Sequence, residues 1–202
     1  MESVKAAVIY YSATGTVHAL AKAIAEGAEQ AGAEVRLRRV GELAPQAAID
    51  ANPAWARHLR DTAEIPEASS DDLVWADLVV FGTPTRFGAP ASQLMAFVDA
   101  NGPLWEEGRL ADKVYTAFTA SQTPHGGQES TLLALSHVFY HWGGIIVPPG
   151  YTDPIQFESG NPYGASQVSG NGAPDDVAHD AARHQARRAV DIAAALNRGR
   201  AA

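Results

Sequence analysis

The sequence predicts an α/β fold in which a parallel sheet of five strands carries helices on both faces. Three observations predict it. Apolar runs of strand length and longer stretches of helical spacing alternate five times along the chain, the order that gives right-handed strand–helix–strand crossovers. The first run, Val4 to Tyr11, is apolar without strict alternation, as a central strand covered on both sides should be. Charged residues make up 19% while Ala and Gly are abundant; ordinary soluble domains carry roughly 25% charge, so these helices can pack closely on the sheet.

The elements follow in order. Val17, Leu20, Ala21, Ile24 and Ala28 mark one face of a helix ending near Gly32, and Glu34 to Val40 reads as a second strand. Residues 41–71 hold Pro45, Pro53 and Pro66 among scattered charges. They read as a surface insertion or a subunit-contact element, with one short helix around Trp55 to Leu59. Asp77 to Gly82 is a third strand and Thr83 to Ala89 a turn, and Pro90 suits the first position of a helix carrying Leu94, Phe97 and Val98. Lys113 to Thr119 is a fourth strand, Gln128 to His141 a helix and Ile145 to Val147 a fifth strand. Pro148 to Pro174, rich in Gly and Pro, reads as a long loop without elements of its own. The last helix runs from about Asp175 to Leu196, with Ala182, Ala186, Ala189 and Ala193 on one face.

Composition bounds the function. With 202 residues, 46% of them hydrophobic, the chain buries a sizeable core and reads as one domain, 1–202. The net charge is −8 and basic residues form only short pairs such as Arg38-Arg39 and Arg187-Arg188. Nucleic acid is therefore not an expected partner. The chain has no cysteine, which removes disulfides, thiolate nucleophiles and iron–sulfur clusters together. No apolar run approaches a membrane span, and the N-terminal run is far too short for a signal peptide, so the expectation is a soluble, cytoplasmic protein. His137 and His141 stand four apart on one helix, but no acid lies between them and no third ligand is evident; no metal site is expected.

In folds of this class, ligands sit beyond the carboxyl ends of the strands. Three loops reach that face: Ser12–Val17, Thr83–Gly88 and Ala120–Gly127. The first joins a buried strand to a helix through Ser-Ala-Thr-Gly-Thr. A helix N-terminus offers unpaired N–H groups and partial positive charge, Gly15 lets the backbone come close, and Ser12, Thr14 and Thr16 can donate to phosphate oxygens. The loop lacks the G-x-x-x-x-G-K-[ST] and G-x-G-x-x-G patterns and has no lysine. A single monoester phosphate suits it; plain capping and turning is the other reading. Gly126 and Gly127 in the third loop can turn several amides inward as an anion nest.

Taken jointly, Ser-x-Thr-Gly-Thr (12–16), Gly-Thr-Pro-Thr-Arg-Phe-Gly (82–88) and His-Gly-Gly-Gln-Glu (125–129) resemble the flavodoxin-like NAD(P)H:quinone oxidoreductases of the WrbA type. Gly102-Pro-Leu-Trp105, Val147-Pro-Pro-Gly-Tyr151 and Asn161-Pro-Tyr-Gly-Ala165 strengthen the likeness, which runs from about Val4 to Leu196 and is weakest in 41–71. The resemblance implies a doubly wound sheet of order 2-1-3-4-5, noncovalent FMN, NADH or NADPH as co-substrate, quinone as acceptor, and a homotetramer or dimer. It implies that Ser12, Ala13, Thr14, Gly15, Thr16 and Val17 surround the FMN phosphate. Pro84, Thr85, Arg86, Phe87 and Gly88 then lie along the isoalloxazine. Ser121, Gln122, Thr123 and Pro124, with His125, Gly126 and Gly127, follow its pyrimidine edge. His141 matches a flavin-site histidine and Trp105 a tryptophan of the substrate pocket, which makes these two the catalytic candidates.

Two positions depart from the pattern. Thr14 stands where close relatives often carry a tyrosine implicated in nicotinamide binding, and His125 adds a side chain to a loop usually richer in glycine. The expected cycle is ping-pong: hydride from NAD(P)H to flavin N5, then two electrons to a quinone in the same pocket. The 121–127 amides meet the negative charge that builds at the pyrimidine edge. The 148–174 segment is expected to fold over the flavin mouth, its own or a neighbour's, with Tyr151 and Tyr163 as anchors. A flavodoxin-like electron carrier, a flavin-binding assembly or regulatory protein, and a phosphate-ester enzyme without flavin are the other readings.

Overall fold

The computed structural model describes residues 3–201. The chain opens with strand β1 (Lys5–Tyr10), helix α1 (Thr16–Gln30) and strand β2 (Glu34–Arg39). Three short helices follow: α2 (Gln46–Asp50), α3 (Pro53–Asp61) and α4 (Ser70–Trp75). Strand β3 (Leu78–Arg86) folds back through β4 (Ala89–Pro90) into α5 (Ser92–Asp99) and α6 (Gly102–Glu106). Then come β5 (Val114–Ser121), α7 (Gln128–His141), β6 (Ile145–Ile146), α8 (Pro154–Ser159), β7 (Ser166–Val168), a 3-10 turn (Ser169–Asn171) and α9 (Asp176–Ala201). Among the described residues, no helix is long and apolar enough to cross a membrane.

The sheet runs β2-β1-β3-β5-β6 with every pair parallel. This is the doubly wound order expected from the sequence. Alternate residues of the central strands feed two separate cores. Ala6, Val8 and Tyr10 of β1, with Leu78 and Val80 of β3, pack under α1 and α9. Ala7 and Ile9, with Val79 and Phe81, pack under α5 and α7. That division explains the missing alternation in the sequence: both faces of each strand are interior, so both must be apolar. The α1 face of Leu20, Ala21, Ile24 and Ala28 meets the α9 face of Ala182, Ala186, Ala189 and Ala193, all essentially inaccessible. Burying side chains such as Leu20 and Ile24 contributes roughly 1.5–3 kcal/mol each. On the other face, Tyr115 stacks on Phe139 at 5.0 Å and Phe81 meets Trp142 edge-on at 6.0 Å, fixing the far end of α7.

Three sequence expectations are corrected. Thr83 to Ala89 is not a turn throughout: β3 continues to Arg86 because Thr83 and Pro84 still pair with Thr119 and Ala120 of β5. Pro90 does not begin a helix. It lies in β4 opposite Thr85, at a sheet margin where a missing N–H is tolerated, and α5 starts at Ser92. The segment 148–174 is not featureless, since it holds α8, β7 and the 3-10 turn, and β7 pairs with Thr119–Ser121 of β5.

Residues 41–71 carry α2 and α3 where one short helix was expected. The α3 start is written in Asn52-Pro53: the Asn52 side chain accepts from the N–H groups of Ala54 and Trp55, and proline occupies the first turn. Asp153-Pro154 starts α8 in the same way, the Asp153 carboxylate accepting from Ile155 N–H. Ser69 and Asp72 form a reciprocal capping box at α4.

Candidate active site

At the carboxyl end of the sheet, the turns after β1, β3 and β5 converge on a cavity of about 290 Å³. Ser12, Ala13, Thr14, Thr16 and Val17 supply one wall. Pro84, Thr85 and Arg86 supply a second; Ala120, Ser121 and Gln122 a third. Ser169, from the 3-10 turn after β7, completes that side, and Asn52 and Trp55 enter from α3.

Two of the helices that begin at this end of the sheet, α1 and α7, start alike. Gly15 precedes α1 at φ 106° and Gly127 precedes α7 at φ 92°, both in the left-handed region, and neither helix has a side-chain cap. A Cβ at Gly127 would lie 2.7 Å from the Gly88 Cα, so the two loops meet backbone to backbone. No acidic residue stands in the first turn of α1. The N-terminus of this 15-residue helix therefore keeps its orphan N–H groups and partial positive charge for a ligand. The Ser12 hydroxyl accepts from Gly15 N–H at 3.1 Å and so sets the bend.

The second loop is stitched to α7. The Thr85 hydroxyl lies 2.5 Å from that of Thr131 and donates to the Gly127 carbonyl, while Ser130 donates to the Gly88 carbonyl at 2.9 Å. The third loop closes on itself: Ser121 donates to the Thr123 carbonyl at 2.7 Å and receives the Gln128 amide at 2.9 Å. Ser169 donates to the Ser121 carbonyl, tying the chain after β7 to the same corner.

The structure thus brings together at the cavity half of the residues singled out by the sequence. Gly15 shapes its wall through the backbone. Phe87, at φ 53°, stands fully exposed beyond the lip, and Gly88 sits behind it against Ser130. Thr123, Pro124 and His125 are exposed on the outer side of their loop; Gly126 and Gly127 lead into α7. Trp105 and His141 are elsewhere. His141 ends a helix that starts beside the cavity and runs back along the sheet for its 14 residues, about 20 Å at 1.5 Å per residue. The Trp105 indole donates to the His141 carbonyl at 2.8 Å, and half of its surface is exposed.

Asn52, Trp55 and Ser169 line the cavity without having been picked out from the sequence. The Asn52-Pro53 cap signal was available for α3; nothing local pointed to Ser169.

Behind the first loop, Tyr10 and His18 are linked at 2.7 Å, and the His18 and His58 rings lie 5.4 Å apart. Burial, then the neighbouring His58 and Lys22, hold the His18 pKa down to about 4. Glu42 lies beside this cluster and receives Tyr11 and Trp55. Burial alone would raise its pKa, but donors from Ala44 N–H, Gln93, Tyr11 and Leu43 N–H outweigh it and hold the carboxyl below its ordinary range.

Residues 4–155 match the family described as NADPH-dependent FMN reductase. The chain belongs to that family. It is 49% identical to an NAD(P)H dehydrogenase (quinone) of Deinococcus radiodurans over 96% of this chain and 97% of the relative. It is 42% identical to one from Sinorhizobium fredii over 95% and 98%. In structure it is similar to a flavodoxin, a WrbA-like protein from Agrobacterium tumefaciens, with TM-score 0.68 and 25% identity, covering 96% of this chain and 99% of that one. The resemblance read from the loops is thus shown at the level of fold and family.

Proposed function

We propose that this chain is an FMN-dependent NAD(P)H:quinone oxidoreductase whose cofactor occupies the cavity at the carboxyl end of the sheet. One observation carries the reading: an uncapped N-terminus of a long helix adjoins a cavity whose lining includes the hydroxyl side chains of Ser12, Thr14 and Thr16. Amide donors and hydroxyls around a left-handed glycine fit a monoester phosphate and need no lysine. Names of relatives at up to 49% identity supply the substrate classes, nicotinamide nucleotide and quinone.

When bound, FMN supplies the hydride and electron chemistry that links a nicotinamide donor to a quinone. The residues of the chain bind, orient and shield. Ser12 to Val17 would hold the phosphate, and Pro84 to Arg86 would form the shelf along the ring. Ala120, Ser121 and Gln122, the part of the third loop that lines the cavity, would border its polar edge. The pairs Thr85–Thr131 and Ser130–Gly88 keep that shelf fixed to α7. No nucleophilic side chain takes part, in keeping with a chain free of cysteine.

In the same reading the protein is a homotetramer, and Trp105 and His141 serve the pocket of a neighbouring copy. Their distance from the cavity of their own chain supports this, as do the exposed aromatic surfaces of Phe87, Trp105 and Tyr140. Diluting FMN-loaded protein until it dissociates should then abolish quinone reduction while FMN stays bound; full activity in a monomer removes both residues from the mechanism.

The decisive experiment on the function is spectroscopic. The purified full-length protein is expected to bind FMN and turn yellow, to bleach with NADPH, and to regain its colour on adding benzoquinone. A protein that ignores FMN overturns the reading. One that bleaches but never passes electrons to quinone leaves an electron carrier instead.

A further inference from the structure

We propose that Trp55 is a further cofactor-contact residue and that Glu42 is the positioning residue holding it at the cavity wall. The segment 41–71 then belongs to the cofactor site. This deepens the FMN reading and rests on it.

Trp55 is the one aromatic side chain among the residues lining the cavity. Its single polar atom is already engaged by a residue outside the cavity lining, the indole N–H donating to Glu42 Oε2 at 3.0 Å. What it offers a ligand is therefore carbon surface, suited to the flat apolar parts of a flavin. The rest of the lining mixes the hydroxyls of Ser12, Thr14, Thr16, Thr85, Ser121 and Ser169 with small apolar groups, so Trp55 supplies the cavity's aromatic surface.

Glu42 gathers donors from three parts of the fold. Its Oε1 accepts from the N–H groups of Leu43 and Ala44, both at 2.8 Å, and from Gln93 Nε2 at 2.7 Å. Its Oε2 accepts from the Tyr11 hydroxyl at 2.8 Å and from Trp55. Tyr11 immediately precedes the Ser12–Val17 loop, and Gln93, which also donates to Tyr11, lies in the first turn of α5. Only an ionised carboxylate offers acceptors to all of these at once. A glutamine there presents an N–H₂ to one set of donors and loses at least one partner. Asn52 fixes the start of the helix that bears Trp55, so cap and latch act on the same element. A tryptophan serving only to pack α3 would need neither a place in the cavity lining nor this latch at its edge.

The test uses the full-length protein stripped of flavin and titrated with FMN, followed by flavin absorbance and tryptophan emission, with far-UV circular dichroism to check folding. Trp55→Leu is expected to weaken FMN binding about tenfold and to remove part of the emission that FMN quenches in the unmodified protein. Trp55→Phe, which keeps a ring and disturbs folding least, falls between. Glu42→Gln weakens FMN severalfold when Trp55 is present and causes no further loss when Trp55 is already Leu, the non-additivity of two residues acting as a unit. Unmodified protein that takes up FMN while both Trp55 variants bind it equally well overturns the proposal and leaves the FMN reading standing. Equal effects of Glu42→Gln in both backgrounds overturn the positioning role. Unmodified protein that fails to take up FMN overturns the FMN reading, and this proposal falls with it.

Discussion

The loop Ser12–Val17 and the segment 41–71 border the same cavity by opposite means. The loop is built from its own residues: Ser12 accepts from Gly15 three positions on, and the backbone passes directly from strand to helix. The segment depends on remote partners, Glu42 reaching Tyr11 31 positions back, Trp55 13 ahead and Gln93 51 ahead. A site wall whose chemistry is local reads as a motif. One assembled by a carboxylate from distant donors reads as surface.

Breaking the local wall should have the larger effect. Gly15→Val forces a β-branched residue to φ 106°, a strain of about 1–3 kcal/mol, or roughly 5- to 150-fold in affinity when released through the binding geometry. FMN titration checks it, and unchanged affinity would mean that the loop does not grip the phosphate. The second comparison sets two capped segments against each other. Asn52→Ala and Asp153→Ala each remove a side-chain cap, about 1 kcal/mol and a fall of about 2–4 °C in melting temperature. Only Asn52→Ala should also weaken FMN, because only its helix reaches the cavity. Equal binding by both variants would separate α3 from the site.

A further effect is one of pH. His18 has a folded-state pKa near 4, below the ordinary value of about 6.5. The unfolded chain therefore binds the proton first, so the contribution of a neutral His18 is complete above about pH 6.5 and is lost as pH falls toward 4. His58, also lowered mainly by burial, acts in the same direction. Melting temperatures should decline across that window, and His18→Gln should flatten part of the slope. A slope untouched by the substitution would place the titration elsewhere in the fold.

Much of the fold was legible because the strands announce themselves twice, by apolar runs and by the helices between them. Gln128–His141 required nothing more, whereas the strand order came from the resemblance carried by the loops. Three starts went unread although their signals were present: Asn52-Pro53, Ser69 with Asp72, and Asp153-Pro154 are all side-chain caps. They lie in stretches where proline and glycine suggested only irregular chain. The cavity-lining residues of the three loops were readable because strand ends dictate where loops meet. Trp105 and His141 were not placed by that logic: a helix running back along the sheet carries its last residue away from the end at which it began.

β6 covers β5 only at Val114 and Tyr115, leaving the carboxyl half of that strand open until β7 arrives beside Thr119–Ser121. The edge nearest the cavity is thus closed by residues synthesised late, after nearly the entire sheet has emerged from the ribosome. A nascent chain halted near residue 160 would carry the Ser12–Val17 loop complete yet expose a bare hydrogen-bonding margin at the corner later tied by Ser169. Translation order alone therefore makes pocket completion a closing event of biogenesis, and delays full enclosure of any ligand until the last quarter of the chain is made.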